Sequence, residues 1–265
     1  MKKLRLLLND HLGKMFTCLV LSWLFFPGKG LSQEKSVDQI VKEIDELYRS
    51  DSSFARLEMQ IVTSHWERTL TMKAWSEGME KTLIRITSPP KEEGVATLRI
   101  KNEMWNYLPK TNKVIKVPPS MMMSSWMGSN FTNDDLVREF TFLEDYNYEK
   151  ISIEDGEENL IYIRFTPKEG LPIVWGYIIA AVQEEDYIPV WEKYYDGKGK
   201  LMRILYFKDI KTFDGRRIPS VMELVPQDEE GNKTVIKYLE IDFNPQFSED
   251  IFSLRNLRSR DSGGS

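Results

Sequence analysis

Residues 55–63, Ala-Arg-Leu-Glu-Met-Gln-Ile-Val-Thr, decide the fold, because apolar and polar side chains alternate along them with a period of two. The same alternation returns in residues 70–74 (LTMKA) and 82–87 (TLIRIT). A period of two places successive side chains on opposite faces of a strand, so one face is buried and the other faces water. These stretches therefore predict half-buried strands of an antiparallel sheet.

Working outward, β-rich runs separated by turn signals fill the rest of the chain. The turn signals in the second half are Asp155-Gly156, Asp196-Gly197-Lys198-Gly199, Asp214-Gly215 and Glu230-Gly231-Asn232. The further strands predicted are Thr97–Lys101, Met104–Leu108, Val114–Val117, Leu160–Thr166, Val174–Val182, Pro189–Tyr195, Leu201–Phe207, Ile218–Val225 and Thr234–Ile241. About eleven or twelve strands in one meandering sheet are expected to curl.

Two helices are predicted beside the sheet. Apolar residues from Val37 to Tyr48 recur at helical spacing, and Ser36 with Gln39 three positions later forms a capping-box signature. The irregular segment Pro118–Tyr146 contains a second, short helix at Asn133–Phe140, with Thr132 as its N-cap. No domain boundary is visible after residue 32, and only Ser259–Ser265 resembles a loose tail.

The first 32 residues have the layout of a secretory signal peptide. Basic residues precede the apolar run Met15–Phe26, and the small residues Gly30 and Ser32 predict cleavage near Ser32. An uncleaved anchor is the alternative, but the apolar run has 12 residues where a membrane-spanning helix needs about 20. The only cysteine, Cys18, leaves with this peptide. Residues 33–265 are then one exported domain in the periplasm.

Composition and motifs argue against most kinds of catalysis. Residues 1–32 carry five basic residues and one acidic residue, so the net charge of −5 becomes −9 once they are removed, which disfavours nucleic acid as a partner. One histidine, His65, remains, and it is expected in an exposed turn. The carboxylate runs Glu184–Asp186 and Asp228–Glu230 fit solvated turns better than Ca²⁺ sites, and no glycine motif indicates a nucleotide. We expect no catalytic residue, no metal and no cofactor.

The chain contains twelve methionines and seven tryptophans, and Met121, Met122 and Met123 are consecutive in an apparent loop. Methionine adapts to variable apolar partners, so these three predict a flexible lid over an apolar pocket. The alternative is that they fill the core of the sheet.

Several segments also carry a family resemblance. They are Ser88-Pro89-Pro90 leading through Gly94 to Leu98, residues 104–109 (MWNYLP), 113–117 (KVIKV), 126–136 (WMGSNFTNDDL), 215–219 (GRRIP) and 247–254 (FSEDIFSL). In this order and spacing the chain resembles the LolA-like superfamily, in particular the outer membrane lipoprotein-sorting proteins. The resemblance implies a mainly β fold: an unclosed, curled antiparallel β-barrel with helices covering the opening and an apolar cavity between them.

The resemblance also implies a periplasmic carrier that shields the acyl chains of a lipoprotein or lipid during transfer toward the outer membrane, with an inner-membrane transporter as donor. We expect the concave face to be lipophilic and the convex face polar. The candidate cavity wall is Met59, Ile61, Met72, Ile84, Ile86, Trp105 and Tyr107, and the candidate lid or rim is Met121, Met122, Met123, Trp126 and Phe131. A shift of strand phase by one residue would exchange the wall residues for their neighbours.

Three alternatives stay open at this point. The first is an envelope-stress sensor of the same fold that regulates a partner protein. The second is a serine hydrolase, which the single histidine disfavours. The third is a structural envelope protein with a filled core. A monomer is expected, although nothing in the sequence decides the oligomeric state.

Overall fold

The alternating stretches form strands of one antiparallel sheet. The computed structural model describes residues 35–138 and 142–259. The strands are β1 (Ser52–Val62), β2 (Glu67–Glu77), β3 (Lys81–Ser88), β4 (Ala96–Ile100), β5 (Glu103–Leu108), β6 (Lys113–Lys116), β7 (Tyr146–Ile151), β8 (Leu160–Pro167), β9 (Tyr177–Gln183), β10 (Pro189–Tyr195), β11 (Leu201–Phe213), β12 (Arg216–Pro226) and β13 (Lys233–Phe243).

The thirteen strands lie in the order β6-β5-β4-β3-β2-β1-β13-β12-β11-β10-β9-β8-β7. Neighbours in this order are also neighbours in the chain, except at the seam between β1 and β13, where Met59 pairs with Ile236. The edges of the sheet are therefore β6 and β7, which follow one another in sequence. The expected fold class is confirmed: the protein is mainly β, and its curled sheet is not closed.

Helix α1 (Val37–Glu46) begins at the predicted capping box. The backbone N–H of Gln39 donates to Ser36 Oγ (3.3 Å), and the backbone N–H of Ser36 donates to Gln39 Oε1 (3.0 Å). The helix buries Ile40, Val41 and Ile44 against the β7–β11 half of the sheet. It is two residues shorter than the predicted Val37–Tyr48, because Leu47 is its C-cap. The chain then enters β1 at Ser52.

The remaining helices are short. They are α2 (Asn133–Arg138), α3 (Phe142–Asp145) and α4 (Leu254–Leu257), with 3₁₀ turns at Pro119–Met121 and Glu249–Phe252. The predicted N-cap of α2 is present, since the backbone N–H of Asp135 donates to Thr132 Oγ1 (3.2 Å). Strand β7 was not predicted at all.

Both faces of the sheet bury apolar side chains, which differs from the expectation of a polar convex face. We call the face that bears Met72 and Ile84 the inner face. The opposite, outer face carries an apolar cluster covered by the C-terminal turns, and its members are Trp75, Leu83, Ala96, Leu98, Tyr107, Ile251, Phe252 and Leu257. The guanidinium of Arg85 on this face donates to the carbonyl of Asn256 (2.9 Å) at the end of α4. The C-terminal segment thus completes an outer core.

The predicted signal peptide, residues 1–32, lies outside the described residues, as does Cys18. Within residues 35–138 and 142–259, no helix is long and apolar enough to cross a membrane.

Candidate functional site

The inner face of the curled sheet encloses a cavity of about 290 Å³. This volume is near the lower end of the range of about 300–1,000 Å³ that is usual for ligand pockets. Apolar side chains of β1, β2, β3, β11, β12 and β13 make up much of its wall: Ala55, Leu57, Met72, Ala74, Ile84, Leu205, Phe207, Met222, Leu224, Ile236, Ile241 and Phe243. The cavity therefore offers a chiefly apolar surface to a guest.

Residues 118–138, which we call the crossing segment, cover part of this cavity with Trp126, Phe131, Asp135 and Leu136. On the β4 side, the indole N–H of Trp126 donates to Thr97 Oγ1 (3.1 Å). The crossing segment is thereby held to the first half of the sheet.

Asn130 attaches the same segment to β13. Its backbone N–H donates to Thr234 Oγ1 (2.9 Å), and the Thr234 hydroxyl donates to Asn130 Oδ1 (2.9 Å). Arg68 of β2 adds a bond to the carbonyl of Met127. Met127 and Gly128 both have positive φ (52° and 76°), and this tight turn presents that carbonyl to Arg68.

The structure places the seven wall candidates in three environments. Met72 and Ile84 line the cavity. Met59, Ile61 and Ile86 share the same inner face but are buried in the packed core beside it. Trp105 and Tyr107 lie on the outer face, because the alternation of β5 turns Met104 and Asn106 inward. On the inner face, Asn106 accepts a hydrogen bond from the Thr97 hydroxyl (2.7 Å). Strand β5 thus has the opposite phase to the one expected.

The five lid or rim candidates are also divided. Trp126 and Phe131 line the cavity. Met121 and Met123 point to solvent, with 51% and 42% of their surface exposed, and Met122 is half-buried. Their backbone is held in place, because the side-chain amide of Asn133 donates to the carbonyls of Met121 (3.0 Å) and Ser124 (3.1 Å). The methionines therefore form an ordered turn beside the cavity, and they do not fill the core.

A buried ion pair closes the cavity on its β10–β11 side. Arg203 Nη1 and Nη2 contact Asp135 Oδ2 (2.8 Å) and Oδ1 (2.6 Å), so the guanidinium binds the carboxylate with both arms. The rings of Trp175 and Tyr194 lie 4.4 and 4.3 Å from the guanidinium carbon. Burial acts to raise the pKa of Asp135, but Arg203 and the hydrogen bonds from Thr132 outweigh it and lower that pKa.

Glu192 of β10 is the second acid on this side, and it is 5% exposed. Its Oε2 accepts a hydrogen bond from the hydroxyl of Tyr194. Burial raises the pKa of Glu192 to about 7, although the Tyr194 hydrogen bond and the nearby Arg203 act in the opposite direction. The polar part of the cavity therefore contains a carboxyl group that changes charge near neutral pH.

Sequence reasoning missed Asp135, Glu192 and Arg203 as members of the site. Asp135 entered the sequence analysis only as part of the segment 126–136 and of the predicted short helix, and the structure places it in the first turn of α2. One signal was available, because the other two charged residues stand inside predicted strands. Glu192 lies two positions from Tyr194, and Arg203 lies two positions from Leu205, so each charged side chain shares a sheet face with a large side chain. His65 and the carboxylate runs lie in turns outside the cavity lining. Among the described residues, no cluster of His, Cys, Asp or Glu could hold a metal ion.

A model of a protein family described as "-like: Uncharacterized protein" matches residues 78–259. The chain belongs to this family. No curated protein matches the chain significantly.

Three solved structures have a fold similar to that of this chain. A DUF1329 family protein from Desulfovibrio piger is 23% identical, with a TM-score of 0.74 over 83% of this chain and 96% of that one. An outer membrane lipoprotein-sorting protein domain from Vibrio parahaemolyticus is 20% identical (TM-score 0.71; 83% and 97% covered). A LolA superfamily protein from Nitrosomonas europaea is 19% identical (TM-score 0.68; 84% and 99% covered). The family member described here therefore has the LolA-like fold.

Proposed function

We propose that this protein is an envelope carrier that holds the acyl part of a lipid or lipoprotein in the inner cavity while it crosses an aqueous space. The observation that carries the proposal is the cavity itself, a chiefly apolar space of about 290 Å³ between the curled sheet and the crossing segment. The lipoprotein-sorting domain and the LolA superfamily protein with the same fold support it as analogies.

The energetics of lipid transfer explain why such a cavity is useful. Each CH₂ group removed from an apolar environment costs about 0.8 kcal/mol, so a 16-carbon chain resists leaving a membrane by roughly 12 kcal/mol. A carrier must lower this cost without binding the chain so tightly that release fails. A wall of aliphatic side chains with Met72 and Met222 meets the first requirement, and the adaptability of methionine helps with the second.

We also propose how the protein is exported and loaded, and that it carries out no chemical step. The chain would be exported by its N-terminal peptide, cleaved near Ser32 and loaded by an inner-membrane transporter, without catalysing a reaction. The mass of the mature protein recovered from the periplasm tests the first of these statements. A mass equal to that of the uncleaved chain would contradict it.

The carrier proposal is tested by native mass spectrometry of the protein purified from membranes, together with titration of a fluorescent single-chain lipid. We expect a co-purified lipid and saturable binding. Ala74→Trp, which places a ring in the cavity, should weaken binding at least fivefold. Lys73→Trp, on the outer face of the same strand, is the matched control and should leave it unchanged. Absence of both co-purified lipid and saturable binding would refute the proposal.

A further inference from the structure

The polar side of the cavity carries a hydrogen-bonding group that the protein does not fully use. Glu192 is 5% exposed and lines the cavity, with Tyr194 donating to its Oε2. Among the described residues, its carboxyl group makes no other hydrogen bond. Its Oε1 atom is therefore an acceptor to which no described residue donates, on the polar side of a chiefly apolar cavity, and an unsatisfied acceptor is unfavourable for a buried carboxyl group.

The charges around Glu192 decide which guest could satisfy this atom. The groups that face it are Tyr194, Arg203 and Asp135. The guanidinium of Arg203 is bound by both oxygens of Asp135, and its faces are covered by the rings of Trp175 and Tyr194. The positive charge is thus already matched by a carboxylate of the protein, and Glu192 adds a second carboxyl group beside it.

An anionic head group would be repelled on this side, because it would meet two carboxyl groups and a cation that is already paired. A guest that donates a hydrogen bond would instead complete the coordination of Glu192. This holds whether Glu192 is ionised or neutral, since a carboxylate oxygen and the carbonyl oxygen of a carboxylic acid both accept.

We infer that the cavity selects lipids in which the acyl chain is joined to a hydrogen-bond donor, such as an amide N–H, over free fatty-acid anions, and that Glu192 is the residue that makes this distinction. The inference rests on the proposed carrier function, and it names the chemical class of the cargo. A hydroxyl-bearing head belongs to the same donor class as the amide.

The test compares two ligands of equal chain length, palmitoylethanolamide and palmitate. Each displaces a fluorescent single-chain lipid from the full purified protein at pH 8. We expect palmitoylethanolamide to bind at least tenfold more tightly than palmitate. Glu192→Gln removes the charge but keeps an acceptor, so it should strengthen palmitate binding at least threefold and change amide binding less than threefold.

Lys193→Gln is the matched control, because the neighbouring side chain on β10 points to the outer face, where it lies 4.2 Å from the ring centroid of Trp191. It should leave the ratio of the two affinities unchanged. Equal binding of both ligands by the wild type, an unchanged ratio in Glu192→Gln, or an equal shift in Lys193→Gln would each overturn the inference while the carrier function stands. Failure of the fluorescent lipid itself to bind would remove the carrier function and this inference together.

Discussion

Asp135 and Arg203 are 68 positions apart in the chain, yet their side chains form a two-armed ion pair that joins the crossing segment to β11. Arg203 is buried, and the rings of Trp175 and Tyr194 enclose its guanidinium. Removal of one partner leaves the other charge uncompensated in a poorly solvated place, and this costs far more than the net value of the pair.

The first prediction concerns this ion pair. Asp135→Ala should lower the free energy of unfolding by about 3 kcal/mol, because Arg203 is left buried without its partner. Chemical denaturation measures the change. Glu240→Ala is the control, since its pair with Arg56 is exposed and a change within about 1 kcal/mol is expected. The double variant Asp135→Leu with Arg203→Met should recover most of the loss, and failure to recover would show that the charges themselves stabilise the fold.

The second prediction concerns pH. The pKa of Glu192 is raised from 4.5 to about 7 in the folded protein, so the unfolded chain releases this proton first as the pH rises. The stability that neutral Glu192 allows is fully present below about pH 4.5 and is lost as the pH rises through about 7. Asp45, whose pKa burial raises to about 6, contributes in the same direction at lower pH.

Glu192→Gln should therefore be as stable as the wild type near pH 4.5 and more stable at pH 8, by an amount on the order of 2–3 kcal/mol. Thermal unfolding of both proteins across this range measures the difference, and Asp45 cancels because both carry it. A constant difference at every pH would contradict the raised pKa of Glu192.

The third prediction concerns the outer core. Phe252 is 7% exposed and packs on the outer face with Trp75 and Leu83, so Phe252→Ala should lower the free energy of unfolding by about 3 kcal/mol. Leu254→Ala, at a side chain that is 43% exposed, should change it by less than about 0.5 kcal/mol. Lipid binding per folded molecule should be equal in both variants, since neither Phe252 nor Leu254 lines the cavity. A selective loss of binding in Phe252→Ala would contradict that separation.

The fourth prediction tests the methionine turn. Met121 and Met123 are exposed, so Met121→Ser with Met123→Ser should change stability by no more than about 0.5 kcal/mol. If these side chains are the rim over which an acyl chain enters, transfer of a fluorescent lipid from vesicles should slow several-fold while its equilibrium affinity changes little. An unchanged transfer rate would remove them from the rim.

Much of the sheet could be predicted from local sequence, because antiparallel strands that bury one face carry a period of two. Strand β7 escaped prediction because polar residues, Asn147, Glu149 and Lys150, occupy half of its six positions and obscure the apolar alternation. The phase of β5 was wrong for a different reason. Trp105 and Tyr107 are its largest apolar residues, and the sequence does not reveal that the C-terminal turns would bury them on the other face.

The polar side of the cavity could not be predicted from local sequence patterns. In β10 the larger apolar residue, Trp191, lies on one face, while Glu192 lies on the other. Alternation alone would favour the tryptophan face as the interior. The acid can face inward only because Tyr194 and the Asp135–Arg203 pair surround it, and these partners come from the same strand, a neighbouring strand and a distant helix. Such a cluster is a property of the tertiary structure.

The two edges of the sheet, β6 and β7, are joined by the chain between Lys116 and Tyr146, which also bears the crossing segment. The crossing segment is bonded to β4 through Trp126, to β13 through Asn130 and to β11 through Asp135. A guest that spreads these strands apart must break at least one of the three attachments, so the admission of a large guest costs the bonds of the crossing segment as well as the fit to the wall.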